Sequence, residues 1–432
     1  MRLLDTRRDD LNALRRLFDS RLDSAAHEAE GTVRAILDDV RERGDAAVLD
    51  YTRRWGFERA DALRVTEEQT AAAVARIQAT PLWPVLNLAV VRIRAFHERQ
   101  LRQTWVDASR PGEMLGQILR PLNRVGVYAP GGTADYPSTV LMAAIPAVVA
   151  GVGSVALASP PGRESGLPAD ATLTAAHLAG VREVYAMGGA EAVAAFAFGT
   201  ESVPRVDKIV GPGSIYVNLA KRFVYGTVGI DMLAGPSEVA ILADGAADPA
   251  AAAADILAQC EHDSNSSALV ATDSEEFAAE LGRAIEQGLS TLPRAAIVRK
   301  ALAANGFLVQ TRDVRESADV VSLYAPEHLH VDVEDPWAIL PNITNAGAIL
   351  IGKHASASLG DYLAGPSHTL PTAGCARFAS PLNVDDFVKK TSLIYFDGPA
   401  AEALQGAAAT FAEFEGLEAH VRAARRESRA HP

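Results

Sequence analysis

From about residue 117 onward, short β-type runs alternate with alanine-rich helical runs, and this alternation constrains the fold more than any other feature. The first strand candidates are residues 125–128, 154–158, 183–187 and 208–210, interleaved with helical stretches at 139–151, 169–179, 190–197 and 215–224. Strand–helix–strand repetition implies a parallel sheet with helices packed on its faces. A second series opens at residues 239–242. It continues through a helix ending at Cys260, a strand at 268–271, a helix at 275–289, and strands at 307–310 and 348–351. The expected fold is therefore α/β, with two tandem incomplete Rossmann-like domains, a helical N-terminal region and a C-terminal helical tail. The expected boundaries are 1–120 for the N-terminal region, 121–235 and 236–380 for the two Rossmann-like domains, and 381–432 for the tail. The last residues, 426–432, read as loosely ordered.

Length and charge limit what such a chain does. At roughly 150 residues per domain, 432 residues imply more than one core. A net charge of −13 argues against nucleic acid, which needs clustered Lys and Arg to neutralise phosphate. The N-terminus is charged throughout and has no apolar core of a signal peptide. The longest apolar stretch, residues 140–152, is too short to span a bilayer and contains Pro146. Two cysteines, Cys260 and Cys375, suit a reducing compartment. The expectation is a cytoplasmic protein with no membrane partner.

Three Gly-rich turns follow strand candidates and open helices: Ala129-Pro130-Gly131-Gly132, Gly188-Gly189-Ala190 and Gly211-Pro212-Gly213-Ser214. Backbone N–H groups at helix starts suit anions such as pyrophosphate, although glycine also serves any tight βα turn. Three in one sheet shift the balance towards a nucleotide or phosphate crevice. Gln259 and His262, i and i+3 near a helix end, present an amide oxygen and an imidazole that could join a metal site or simply end the helix. In Tyr324-Ala325-Pro326-Glu327-His328-Leu329-His330 an acid and a base are adjacent, which suits two proton transfers in a two-step reaction; a surface turn is the alternative. Asp361 and His368 lie in an irregular stretch ordered by Gly and Pro, the usual setting of a site. Glu415 and His420 sit in the helical tail, where a solvated face is the simplest reading.

Taken together, VGVYAPGG (125–132), KIVGPGSIYV (208–217), GIDMLAGPSE (229–238), QCEHD (259–263), APEHL (325–329), GDYLAGPSHTLPT (360–372) and EGLEAH (415–420) resemble the histidinol dehydrogenase family over about residues 25–425. The resemblance implies an NAD-dependent, zinc-containing enzyme with one zinc per active site. It oxidises L-histidinol via L-histidinal to L-histidine with two NAD, the last step of histidine biosynthesis. It places zinc ligands at Gln259, His262, Asp361 and His420, and the acid/base pair at Glu327 and His328. Substrate contacts fall on Ser237, His368 and Glu415, together with the zinc ligands and His328. NAD contacts fall on Tyr128, Glu191 and Ser214 in the 121–235 domain. Glu191 and Ser214 depart from the family's usual Gln and Asn. The resemblance further implies a homodimer with shared active sites, the tail being exchanged so that Glu415 and His420 complete the partner's site. Two other readings share these residues: a related zinc/NAD dehydrogenase for another amino alcohol or a sulfonated diol, and a zinc hydrolase using Glu327 as base.

Overall fold

The first alternating series folds as a doubly wound sheet. This computed structural model describes residues 1–8, 10–19, 26–59, 61–131, 135–233 and 235–425; Gly132, Ala234 and the terminal 426–432 lie outside them. Before the first series come β1 (Arg2–Asp5), α1 (Leu11–Asp19), α2 (Ala26–Arg43), α3 (Asp45–Arg54), α4 (Glu67–Gln78), α5 (Leu82–Glu98), β2 (Trp105–Asp107) and β3 (Glu113–Pro121). The series itself is β4 (Arg124–Tyr128), α6 (Pro137–Val149), β5 (Ser154–Ser159), α7 (Asp170–Ala179), β6 (Glu183–Ala186), α8 (Gly189–Phe198), β7 (Lys208–Val210), α9 (Ile215–Val224) and β8 (Gly229–Ile230). All strands pair in parallel, in the order β6-β5-β4-β7-β8. The order reverses between β4 and β7, where such sheets open a crevice at their carboxyl ends.

The second series is β9 (Glu238–Ala243), α10 (Pro249–Cys260), β10 (Ser267–Thr272), α11 (Glu275–Leu289), α12 (Ala295–Asn305), β11 (Gly306–Gln310), α13 (Val314–Tyr324), β12 (His328–Asp332), α14 (Pro336–Ile339), β13 (Ala348–Ile351) and α15 (Ala357–Tyr362). Its sheet runs β1-β11-β10-β9-β12-β13, all parallel. Without β1 this is the same winding as the first sheet. Period-two alternation sends successive residues to opposite faces. Val239 and Ile241 join the core under α10–α12, while Ala240 and Leu242 join the core under α1 and α13. Both faces are covered, so β9 and β10 read as continuous apolar runs. Each fully buried Val or Ile here contributes on the order of 2 kcal/mol.

Several strands were not expected from the sequence, among them β1 and β12. Arg2–Asp5 is an edge strand on β11, although four residues are too few to show a period. His328–Asp332 is a central strand, although its alternate residues His328 and His330 are polar and mask the pattern. The N-terminal helices also form no separate layer. Residues of α2 and α3 share a core with one face of the first sheet, those of α4 and α5 with the other face, and those of α1 with the second sheet.

The chain divides into two compact units: residues 1–100 with 122–387, and residues 101–121 with 388–432. The second unit therefore begins its C-terminal part at Val388 and recruits a segment expected in the N-terminal region. Its antiparallel ribbon pairs β3 with β2 and with β14 (Val388–Phe396). Then come α16 (Gly398–Phe414) and α17 (Glu418–Ala424), packed through Ala409, Ala412 and Val421.

Candidate active site

The candidate acid/base residues Glu327 and His328 stand at the amino edge of the second sheet. Helix α13 ends at Ala325, which adopts the left-handed conformation (φ 51°) and turns the chain through Pro326 and Glu327 into β12. The Glu327 carboxylate accepts the N–H of Glu238 at 2.9 Å, which fixes it beside the first residue of β9. Ser237 immediately precedes that residue, and its carbonyl accepts from Ser267 N–H at 3.0 Å. His328 is 5% exposed. Its Nδ1 lies 3.8 Å from Glu327 Oε2 and 3.0 Å from the Gln259 amide, and its Nε2 lies 3.2 Å from Asp361 Oδ1. Burial alone would disfavour an imidazolium. The Asp361 and Glu327 carboxylates outweigh burial and push His328 up to about 10.

Gln259 and His262 come from the end of α10, which is built from an alanine run. Asp248 caps its start, accepting from Ala250 N–H at 2.9 Å, and Pro249 occupies the first position. Gln259 is buried, whereas His262 lies just past the helix and is exposed. Burial acts to raise the Asp361 carboxyl. The His328 hydrogen bond and the charges of His328, His368 and His262 prevail and hold it below the usual range. An ionised carboxylate ringed by imidazoles, with a buried amide alongside, is the N/O donor chemistry that zinc accepts. Among the described residues, no three His, Cys, Asp or Glu side chains form a ready cage. His262 and Asp361 are two donors of that class and Gln259 one of another kind, and the chemistry of this set fits zinc.

The cofactor candidates occupy the carboxyl edge of the first sheet. Tyr128 ends β4, and its hydroxyl accepts from Gly189 N–H at 3.3 Å; burial pushes it up to about 12. Glu191, in the first turn of α8, is 1% exposed, and burial pushes its carboxyl up to about 8. Its Oε2 is buried without a hydrogen-bond partner. Ser214 precedes α9 and is exposed. The starts of the helices that directly follow strands differ between the two sheets. In the second sheet, α10, α11 and α13 are capped by the side chains of Asp248, Ser274 and Asp313. In the first, α6, α7, α8 and α9 have no side-chain cap. Uncapped N–H groups at a topological switch, beside an orphaned carboxyl oxygen, fit a dinucleotide.

The two edges meet at His368. Its Nδ1 lies 2.9 Å from the Asp361 carbonyl, and its Nε2 lies 3.2 Å from the hydroxyl of Thr139 in the first turn of α6. A cavity of about 650 Å³ is lined by His328, Asp361, His368 and the apolar Leu350, Leu359 and Leu363. Thus Glu327, His328, Gln259, Asp361 and His368 are brought together. Glu415 and His420 belong to the second unit, where both side chains are exposed.

Sequence reasoning missed Thr139 and a further pair, Asp255 and His330, whose Oδ2 and Nδ1 lie 3.2 Å apart. The signal for the pair was available: Asp255 precedes Gln259 by one helical turn, and His330 shares a strand face with His328.

Comparison with known proteins identifies the family. The histidinol dehydrogenase family model matches residues 19–427. The histidinol dehydrogenase of Syntrophotalea carbinolica is 48% identical over 424 residues, covering 98% of each chain. That of Geobacter sulfurreducens is 46% identical over 426 residues, again covering 98% of each. The crystal structure of histidinol dehydrogenase from Elizabethkingia anophelis superposes with a TM-score of 0.92 at 33% identity, covering 98% of this chain and 97% of that one. An acetylating aldehyde dehydrogenase from Geobacillus thermoglucosidasius shares the fold alone, with a TM-score of 0.50 at 13% identity over 90% of this chain and 98% of that one. By full-length sequence likeness and by fold, the chain belongs to the histidinol dehydrogenase family of oxidoreductases.

Proposed function

We propose that this chain oxidises L-histidinol through L-histidinal to L-histidine with two NAD and one water, the last step of histidine biosynthesis. The observation that carries this is the buried His328 set between Glu327 and Asp361 in the cavity. Two oxidations at one carbon need two kinds of proton transfer, and an adjacent acid and base supply both. His328 takes the hydroxyl proton as hydride leaves for NAD. Glu327, fixed by the N–H of Glu238, activates the water that adds to the aldehyde. His328 then accepts the proton released in the second oxidation.

One zinc per site would be held by Gln259, His262, Asp361 and His420, and when bound it supplies a fixed charge that orients the substrate amine and imidazole. Drawing the Asp361 charge away from His328 favours the neutral imidazole that a base requires. Ser237, His368 and Glu415 join these residues around the substrate. Tyr128, Glu191 and Ser214 contact NAD. Glu191 does so as a neutral carboxyl near pH 7, which removes the repulsion an ionised glutamate would exert on phosphate.

Glu415 and His420 act across a homodimer with shared sites. The exposed Ile394, Phe411 and Phe414 of the second unit support an apolar contact with another copy. A cytoplasmic location agrees with a chain of only two cysteines, Cys260 and Cys375. Among the described residues, no single helix is long and apolar enough to cross a membrane. Absorbance at 340 nm tests the reaction. Two NADH should form per histidinol consumed, with little free aldehyde; one NADH with accumulating histidinal would overturn the reading.

A further inference from the structure

Lys221 and Asp231 form an ion pair whose side chains have no exposed surface. Both charges converge on the backbone of one residue. The Lys221 ammonium donates to the Gly211 carbonyl at 3.0 Å, and the Gly211 N–H donates to Asp231 Oδ2 at 2.7 Å. Gly211 has φ +115°, and a Cβ there would collide with the carbonyl of Tyr128. It therefore sits at the switch between β4 and β7, with both polar backbone groups turned inward. Outward of it, Asn218 Nδ2 holds the Gly213 carbonyl at 3.0 Å, and Ser214 leaves the start of α9 uncapped.

Stability alone does not account for this pair. Desolvating two charges costs several kcal/mol per ion, and well-packed apolar replacements of such pairs are often neutral or stabilising. What the pair does supply is a fixed orientation for one peptide unit on each side of Gly211. We propose that Lys221 and Asp231 are positioning residues that set the Gly211–Ser214 turn in the form that receives the NAD pyrophosphate. Neither side chain reaches NAD; both act through the backbone of Gly211. The inference rests on assigning NAD to the turn that carries Ser214.

The test is NAD affinity by calorimetry on the full-length protein, with histidinol affinity as the control. Hydrogen exchange of residues 211–218, with and without NAD, follows the turn directly. Lys221→Met with Asp231→Leu removes both charges together, so no buried charge is left unpaired, and it releases the Gly211 carbonyl and N–H. It should weaken NAD binding at least tenfold, leave histidinol affinity within twofold, and raise exchange at 211–218. Asp231→Asn keeps an acceptor for Gly211 and nearly the same shape but leaves the Lys221 ammonium without its counter-charge; it should weaken NAD binding three- to tenfold, and, with its fold checked by circular dichroism, it decides the matter if the double variant does not fold. NAD affinity within twofold of the parent, or equal losses for NAD and histidinol, would overturn the positioning role. A parent protein in which NAD leaves exchange at 211–218 unchanged would instead overturn the assignment of NAD to this turn.

Discussion

Glu191 shows how much a single buried carboxyl reveals that its sequence position does not. Its ordinary value is 4.5, and burial in the folded chain pushes it to about 8. The unfolded chain ionises the group above 4.5 and the folded chain does not, so folding takes up a proton in between. The protonated group's contribution is fully present below 4.5 and is lost as pH rises towards and through 8. Between pH 6 and 9 this amounts to a loss on the order of 3 kcal/mol. Glu191→Gln is neutral at every pH, so its melting temperature should exceed that of the parent by a margin that widens from pH 6 to pH 9. A constant margin would show that the carboxyl is already ionised in the fold. On the proposed function, Glu327→Gln keeps size and removes the carboxylate that would activate water. Single-turnover kinetics should show aldehyde oxidation falling at least tenfold further than alcohol oxidation, whereas His328→Asn should damage both steps. Adjacency of Glu327 and His328 was legible in the sequence. The burial of Glu191, and its contact with the Trp55 side chain, was not, because the two lie in segments joined only by folding.

Among the elements, β4 to α9 of the first series and β9, α10, β10, α11, β11 and β13 of the second were legible because composition and period agree locally. Strand β12 was not, because polar residues occupy the buried face that a reader expects to be apolar. The turn into it is the more informative miss. Ala325 occupies a left-handed position at the end of α13 that usually falls to glycine, and nothing in its residue type announces this. The conformation costs an alanine on the order of 1 kcal/mol. Ala325→Gly should therefore raise the unfolding free energy in urea by about 1 kcal/mol. It should also loosen Glu327 and His328, lowering kcat with little change in KM. A variant that is both less stable and fully active would remove strain at this turn from the account.

For the whole molecule, the order of motifs revealed two α/β series but not how they are opposed. That depends on pairings such as Thr139 with His368, which are 229 residues apart. Nor was it legible that residues 101–121 leave the N-terminal region to pair with β14. The tail's role is tested by mixing chains. An inactive His262→Ala chain and an inactive His420→Ala chain should regenerate activity on subunit exchange, because one site of the mixed dimer then carries neither lesion. With exchange demonstrated by tagging, an inactive mixture would mean that each tail serves its own chain.

The matching strand orders of the two sheets point to an ancestry by internal duplication, followed by a division of labour. In the second copy the loops leaving the strands carry Asp244, Asp273 and Asp313, while Asp332 ends β12. Asp313 and the nearby Asp248 close helix starts with their own carboxylates. On the proposed function, that acidic rim repels the anion that the first sheet's edge would hold, and the second sheet acts from its opposite edge. On the proposed function, preferences for coenzyme and for amino alcohol are then written in separate stretches of one gene. Exchanging residues 124–230 between homologues should transfer the first without the second.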